Sequence, residues 1–116
     1  IKSNSREIIF DKCSSNILMT EFDKLCEENF SHQDYINISK NFNLIFLSNV
    51  PQLNEENKDS CRRFISLIDM LYENKCSIVI LASKPITSLN TIKSLSEEFN
   101  RTASRLYEMT IVQPLK

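Results

Sequence analysis

The segment "NLIFLSNVPQLNEENKDSCRRFISLIDMLYENKCSIVILAS" (43–83) decides the predicted fold of this chain. It contains two short apolar runs, 43–50 and 76–83, on either side of a longer stretch, 58–75. In the longer stretch, apolar side chains recur every three or four residues, which is typical of an amphipathic helix. A strand, a helix and a second strand form a βαβ unit, in which the strands pair in parallel through a right-handed crossover. Because both runs are apolar along their whole length, we predict strands that are buried on both faces of the sheet.

The flanking residues complete the predicted fold. Two β-prone runs, 6–12 and 16–22, are separated by "CSS" and predict an N-terminal β-hairpin. The run "IVQPL" (111–115) predicts a last short strand that ends at Pro114. We therefore predict an α/β fold: a single small domain covering residues 1–116, with a parallel βαβ unit flanked by helices and an N-terminal β-hairpin.

Two short helices are predicted between the hairpin and the first strand of the βαβ unit. The first covers 21–29, with Thr20 as its N-cap. The second covers 33–42 and is capped by Ser31 or Asp34.

Composition and charge exclude several classes of function. The chain has 116 residues, of which 41% are hydrophobic and 25% charged, with a net charge of −1. This charge offers no general attraction to nucleic acid or to an anionic membrane, so neither is an expected partner. The longest apolar run, Ser77–Ala82, is too short to span a bilayer, and we predict no transmembrane segment.

The four cysteines do not form a recognisable site. Cys13, Cys26, Cys61 and Cys76 are widely and irregularly spaced, unlike the C-x-x-C pairs of zinc and redox motifs. We predict reduced, structural thiols in an intracellular protein, and no metal site.

The chain contains no glycine. A phosphate-binding loop needs glycine, because its backbone N–H groups must approach the phosphate without an intervening Cβ. The chain therefore carries no standard nucleotide loop of its own, and no cofactor is expected for the chain alone. Asparagine is expected to occupy the left-handed turn positions instead.

The single histidine, His32, has two interpretations. It is either an ordinary loop residue or the base of a catalytic pair with Cys26. The carboxylates are scattered over solvent-facing positions, and none stands out as half of an acid–base pair.

The stretch "EEFNRTASRLYEMT" (97–110) places two arginines one helical turn apart. Arg101 and Arg105 lie opposite an apolar stripe that consists of Leu95, Phe99, Ala103, Leu106 and Thr110. Glu97 can pair with Arg101, and Glu108 with Arg105, through surface ion pairs of ~0.3–0.5 kcal/mol each. The alternative is that the two guanidiniums bind an anion outside this sequence.

A second pair of arginines raises the same question. Asp59 can pair with Arg63 at a spacing of four residues, whereas Arg62 has Asp69 two turns away, with Ser66 between them. Such arginines are either neutralised at the surface or hold a phosphate or a neighbouring subunit.

Five motifs resemble a known family when they are taken in order. They are "FDKLC", "QDYINIS", "FNLIFLSNVPQL", "RRFISLIDMLYENK" and "FNRTASRLYEM", which together span most of 22–109. Their order and spacing resemble the C-terminal region of the ZapE-like and mitochondrial AFG-type AAA ATPase family. Ser39, Asn74 and Asn100 depart mildly from its pattern.

The resemblance implies a P-loop ATPase whose nucleotide core precedes this segment. The missing glycine and initiator methionine fit a segment that begins after that core. ATP and Mg²⁺ would then belong to the full-length protein, and the segment alone would be inactive. Its implied partners are its own ATPase core, further copies in a homo-oligomer, and client proteins. The implied compartment is the mitochondrion in a eukaryote or the cytoplasm in a bacterium.

The resemblance also marks the candidate functional residues. The candidates for an arginine finger or sensor are Arg62, Arg63, Arg101 and Arg105, and the candidates for interaction or positioning are Asp69, Glu97, Thr102, Ser104 and Glu108. The alternative is a non-catalytic protein-interaction module.

Overall fold

The computed structural model describes residues 2–3, 6–10, 12–14 and 16–109. Its strands are β1 (Lys2–Ser3), β2 (Arg6–Glu7), β3 (Lys12–Cys13), β4 (Ile17–Glu21), β5 (Leu44–Val50) and β6 (Ser77–Ala82). Its α-helices are α1 (His32–Asn41), α2 (Lys58–Glu73) and α3 (Ser96–Met109). None of the described helices is long and apolar enough to cross a membrane. The predicted strand at 111–115 lies outside the described residues.

The predicted α/β fold is confirmed. A four-stranded sheet has the order β3-β4-β5-β6, and β4, β5 and β6 run parallel. Helix α2 connects β5 to β6, which is the predicted βαβ unit. The predicted N-terminal hairpin is present as β3 and β4, which pair antiparallel. Its first strand is only two residues long, because β2 pairs with β1 in a separate two-stranded sheet.

Helix α2 packs on the sheet through the apolar face that its sequence predicts. Cys61, Phe64, Ile68 and Leu71 are fully buried, each with 0% exposure. After the helix ends, Lys75 has a φ of 57°, which turns the chain back into β6. Asn49 has a φ of 59° at the irregularity of β5, in line with the asparagine prediction, whereas Lys75 departs from it.

The prediction that the strands are buried on both faces is wrong. Leu18, Ile45 and Ile78 lie side by side across the three parallel strands and are buried. Their neighbours point to the opposite face, where Met19 is 52% exposed and Leu81 is 60% exposed. Apolar composition alone does not distinguish a strand that is covered on both faces by this chain from a strand that is covered on one face.

The connection from β4 to α1 differs from the prediction. The strand extends through Glu21, and the following turn, Asp23–Glu27, is π-helical with no side-chain cap, so Thr20 is not an N-cap. Of the two predicted caps, Ser31 is the N-cap of α1, and its hydroxyl accepts a hydrogen bond from the Asp34 backbone in a capping box.

Candidate functional site

Helices α2 and α3 run side by side in the same direction. The rings of Phe64 and Phe99 stack with centroids 6.3 Å apart. Further along, Asp69 contacts Arg105, 36 residues later, and Tyr72 contacts Glu108, again 36 residues later. Because the separation stays nearly constant, each residue of α3 lies at the level of the α2 residue about 36 positions earlier. We call Asp69, Tyr72, Arg105 and Glu108 the polar seam.

Arg105 is anchored within the polar seam. Its guanidinium donates a hydrogen bond to the carboxylate of Asp69, and these side chains are 25% and 24% exposed. The same guanidinium lies over the ring of Tyr72, 4.9 Å from its centroid. A partly buried, charge-assisted hydrogen bond is stronger than a surface ion pair, and the aromatic ring adds a cation–π contact.

The predicted ion pair between Arg105 and Glu108 is replaced by other contacts. Glu108 accepts a hydrogen bond of 2.7 Å from the hydroxyl of Tyr72. This hydrogen bond to Glu108 raises the pKa of Tyr72, because it favours the protonated phenol. Arg105 turns to Asp69 instead, a partner on another helix that a wheel of α3 alone cannot reveal.

Arg101 lies one helical turn before Arg105 and has a different environment. Its side chain is exposed, and it forms no ion pair with any residue that the structure describes. The predicted pair between Glu97 and Arg101 is therefore wrong. The anchored arginine and the unpaired arginine occupy consecutive turns of one helix.

The arginines of α2 also differ from each other. Arg63 donates a hydrogen bond of 3.0 Å to the backbone oxygen of Cys26, which ties α2 to the π-helical turn. Arg62 lies 3.7 Å from Asp59, and these side chains are 58% and 82% exposed. The predicted pair between Asp59 and Arg63 is wrong: Asp59 pairs with Arg62.

Arg62 and Arg101 lie at nearby levels along the axes of helices α2 and α3. Residues 62, 66 and 69 form one ridge of α2, and Asp69 on that ridge contacts Arg105. Arg101 precedes Arg105 by one turn, at about the level of residue 65 of α2. The spacing along the helix axis between the levels of Arg62 and Arg101 is therefore only ~5 Å. Both side chains are exposed, and that of Arg62 lies beside Asp59.

The remaining candidates occupy separate environments. Thr102 has 0% exposure, and its hydroxyl donates to the backbone oxygen of Glu98, so it belongs to the core. Ser104 is exposed on α3. His32 is the first residue of α1, and its Nδ1 lies 2.7 Å from the hydroxyl of Ser66.

The pairing of His32 with Cys26 is not formed. Cys26 has 0% exposure, and burial raises the pKa of its thiol, which disfavours the thiolate that catalysis requires.

Sequence reasoning missed Tyr72, which contacts both Arg105 and Glu108 of α3. The only sequence signal was its phenol at the end of an otherwise apolar face, where a polar tip generally finds a hydrogen-bond partner.

The whole chain, residues 1–116, matches the family of AFG1-like ATPases. The chain belongs to this family. It is 32% identical over its full length to the cell division protein ZapE of Escherichia coli K12, covering 31% of that protein. It is 36% identical over 84 residues to lactation elevated protein 1 homolog B of Danio rerio, which covers 72% of this chain and 17% of that protein. No solved structure matches it.

The AFG1-like family is one of ATPases, yet these residues do not fit a complete ATP–Mg²⁺ site. The chain has no glycine with which to build a phosphate loop. No group of three potential metal ligands comes together within the described part of the chain. The chain spans about a third of the length of the bacterial relatives. Among the described residues, Arg101 carries an exposed guanidinium without an ion pair, which is available to an anion.

Proposed function

We propose that the chain is the C-terminal lobe of an AAA-type ATPase whose Walker motifs lie outside these 116 residues. Membership of the AFG1-like family supports ATP hydrolysis, with Mg²⁺, as the activity of the complete protein. The absence of glycine supports a phosphate loop elsewhere in the polypeptide. In this proposal the lobe alone hydrolyses no ATP and acts by contacting its own ATPase core and neighbouring copies.

The lobe presents Arg101 to an anion at a subunit boundary. The observation that carries this assignment is that Arg101 is exposed and without an ion pair among the described residues, one turn from the anchored Arg105. An arginine supplied to a neighbouring nucleotide neutralises the charge that develops on the transferred phosphoryl group. Arg62 of α2 is a second exposed guanidinium, although it is paired with Asp59.

Arg105 is a positioning residue in this proposal. Its contacts with Asp69 and Tyr72 fix α3 against α2, and thereby fix the turn that carries Arg101. Arg63 has a comparable role at the other end of α2, because its guanidinium is already bound to a backbone oxygen.

The test is ATP turnover by the complete protein carrying Arg101→Gln. We expect the turnover number to fall ~10²–10⁵-fold, the range for loss of one charge-stabilising donor or an arginine finger, with an unchanged melting temperature. Lys93→Gln is the matched control, because it removes one exposed positive charge elsewhere. Turnover within twofold of wild type in Arg101→Gln would overturn the assignment.

A mixing experiment tests whether Arg101 acts across a subunit boundary. The Arg101→Gln protein is combined with a variant that lacks the phosphate-loop lysine. Each variant alone is inactive, and the mixture regains turnover if the arginine of one copy serves the nucleotide of the next. A mixture that stays inactive while the two variants co-assemble would contradict action between subunits.

A non-catalytic interaction module is the second candidate. The exposed apolar side chains of Met19 and Leu81 on the sheet favour it, because such surfaces mark protein contacts. A coding sequence that lacks G-x-x-x-x-G-K-[ST] upstream, or normal turnover in the Arg101 variant, would favour this candidate.

A further inference from the structure

The face of the sheet that α2 does not cover forms a second surface. It consists of alternate side chains of β4, β5 and β6, and we call Ile17, Met19, Phe46, Ser48 and Leu81 the open sheet face. A cavity of about 780 Å³ lies over most of it. Ile17 is 37% exposed, Met19 52% and Leu81 60%, so the floor of this surface is apolar and accessible.

The cavity is lined by more acidic than basic side chains. Its lining contains four carboxylates and two lysines, a net charge of −2. Lys24 is already paired with Glu28 at 3.6 Å. Glu21, Asp23 and Glu27 form no ion pair with any of the residues the structure describes. An apolar floor therefore meets a row of unneutralised carboxylates.

We infer that the open sheet face binds an amphipathic α-helix of a partner protein, with Lys and Arg beside its apolar stripe. Parallel sheets are covered by helices on both faces, and here α2 lies on only one of them. The apolar stripe packs on Met19, Phe46 and Leu81, while the basic residues face Glu21 and Glu27. A second copy of this chain fits poorly, because it would bring the same carboxylates against each other.

The direct test uses two fluorescent helical peptides of 18 residues with the same leucine stripe. One carries lysines and arginines beside the stripe, and the other carries glutamates. Fluorescence anisotropy on the 116-residue chain is expected to show at least tenfold tighter binding of the basic peptide, weakening as salt is raised. Equal affinity for the two peptides, or no binding of either, would overturn the inference.

Substitutions then locate the peptide. Met19→Gln and Glu27→Lys are each expected to weaken binding at least fivefold. Their matched controls are Tyr107→Gln, at an exposed aromatic residue of α3, and Glu73→Lys, at an exposed carboxylate of α2. Circular dichroism confirms that each variant is folded. If the control variants weaken binding as much as the test variants, the peptide binds elsewhere and the inference is wrong.

Two further measurements test the alternative occupants of the open sheet face. Light scattering that shows a dimer disrupted by Met19→Gln would assign the face to a second copy. The basic peptide is also titrated into the complete ATPase, where we expect unchanged affinity. Loss of binding there would assign the face to a helix of the same polypeptide. Either result would overturn binding of a partner protein, and neither depends on whether Arg101 affects ATP turnover.

Discussion

Arg105 of α3 donates a hydrogen bond to Asp69 of α2, which lies 36 residues earlier in the chain. The contact is the centre of the polar seam, and the ring of Tyr72 lies beneath the same guanidinium. One turn away, Arg101 points into solvent. The two arginines of this helix thus differ in role: Arg105 holds the helix pair together, and Arg101 remains accessible.

The first prediction concerns the energy of this contact. Because Asp69 and Arg105 are only about a quarter exposed, we expect a coupling free energy of ~1 kcal/mol in a double-mutant cycle of Asp69→Asn and Arg105→Gln. Chemical denaturation of the two single variants and the double variant measures this value.

The ion pair between Asp59 and Arg62 is the matched control for that cycle. Both side chains are more than half exposed, and their charges are 3.7 Å apart. Exposed pairs three residues apart on a helix couple by ~0.2–0.5 kcal/mol. Equal coupling in the two cycles would show that Arg105 is no more firmly held than a surface arginine.

The second prediction concerns a buried hydroxyl. Tyr35 is 1% exposed and donates a hydrogen bond of 2.6 Å to the backbone oxygen of Leu25. Tyr35→Phe leaves that oxygen without this donor, and we expect the free energy of unfolding to fall by ~1–2 kcal/mol. Tyr107→Phe, at a tyrosine that is 59% exposed, should change it by less than ~0.5 kcal/mol. A Tyr35→Phe variant as stable as wild type would contradict the assigned role.

The central fold could be predicted from the sequence because its signals are local. The periodicity of 58–75 and the apolar runs beside it specify a helix between two strands, and parallel pairing follows from connection rules. Two predictions were wrong, namely that Thr20 is an N-cap and that the strands are buried on both faces, and these errors have a common cause. The position of an N-cap depends on where the preceding strand ends, and the burial of a strand depends on how many layers cover the sheet. Neither property is determined by the neighbouring residues in the sequence.

From the sequence, the residues of the candidate site could be predicted, but their contacts could not. Helix wheels identified the arginines but assigned their partners within the same helix, at spacings of three or four residues. Arg105 and Arg63 instead bind groups on other elements, Asp69 and the Cys26 backbone. Such partners depend on the packing of α2 and α3, which a single helix wheel does not contain.

The third prediction concerns thiol reactivity. Cys13 is exposed, whereas Cys26, Cys61 and Cys76 are buried, and all four are free. A disulfide reagent at pH 8 should therefore modify one thiol rapidly and the other three only after denaturation. Cys13→Ser is expected to abolish the rapid phase. Rapid modification of a second thiol in the folded chain would contradict the burial of the remaining three.

The fourth prediction is a loss of stability at high pH. Burial raises the pKa of Cys76 from 9.0 to about 11, so the folded chain keeps a thiol proton that the unfolded chain has already released. The contribution of Cys76 is complete below pH 9 and is lost as the pH rises towards 11. The free energy of unfolding should thus fall less steeply between pH 9 and 11 in Cys76→Ala than in wild type.

Cys13→Ala separates this effect from general alkaline destabilisation. The Cys13 side chain is exposed, so we expect its removal to leave the slope between pH 9 and 11 as steep as in wild type. The other ionisable groups are shared by all three proteins, and their contribution cancels in the comparison. Identical slopes in wild type and Cys76→Ala would mean that the Cys76 thiol ionises equally in the folded and unfolded chains, which would contradict the burial of its side chain just before β6.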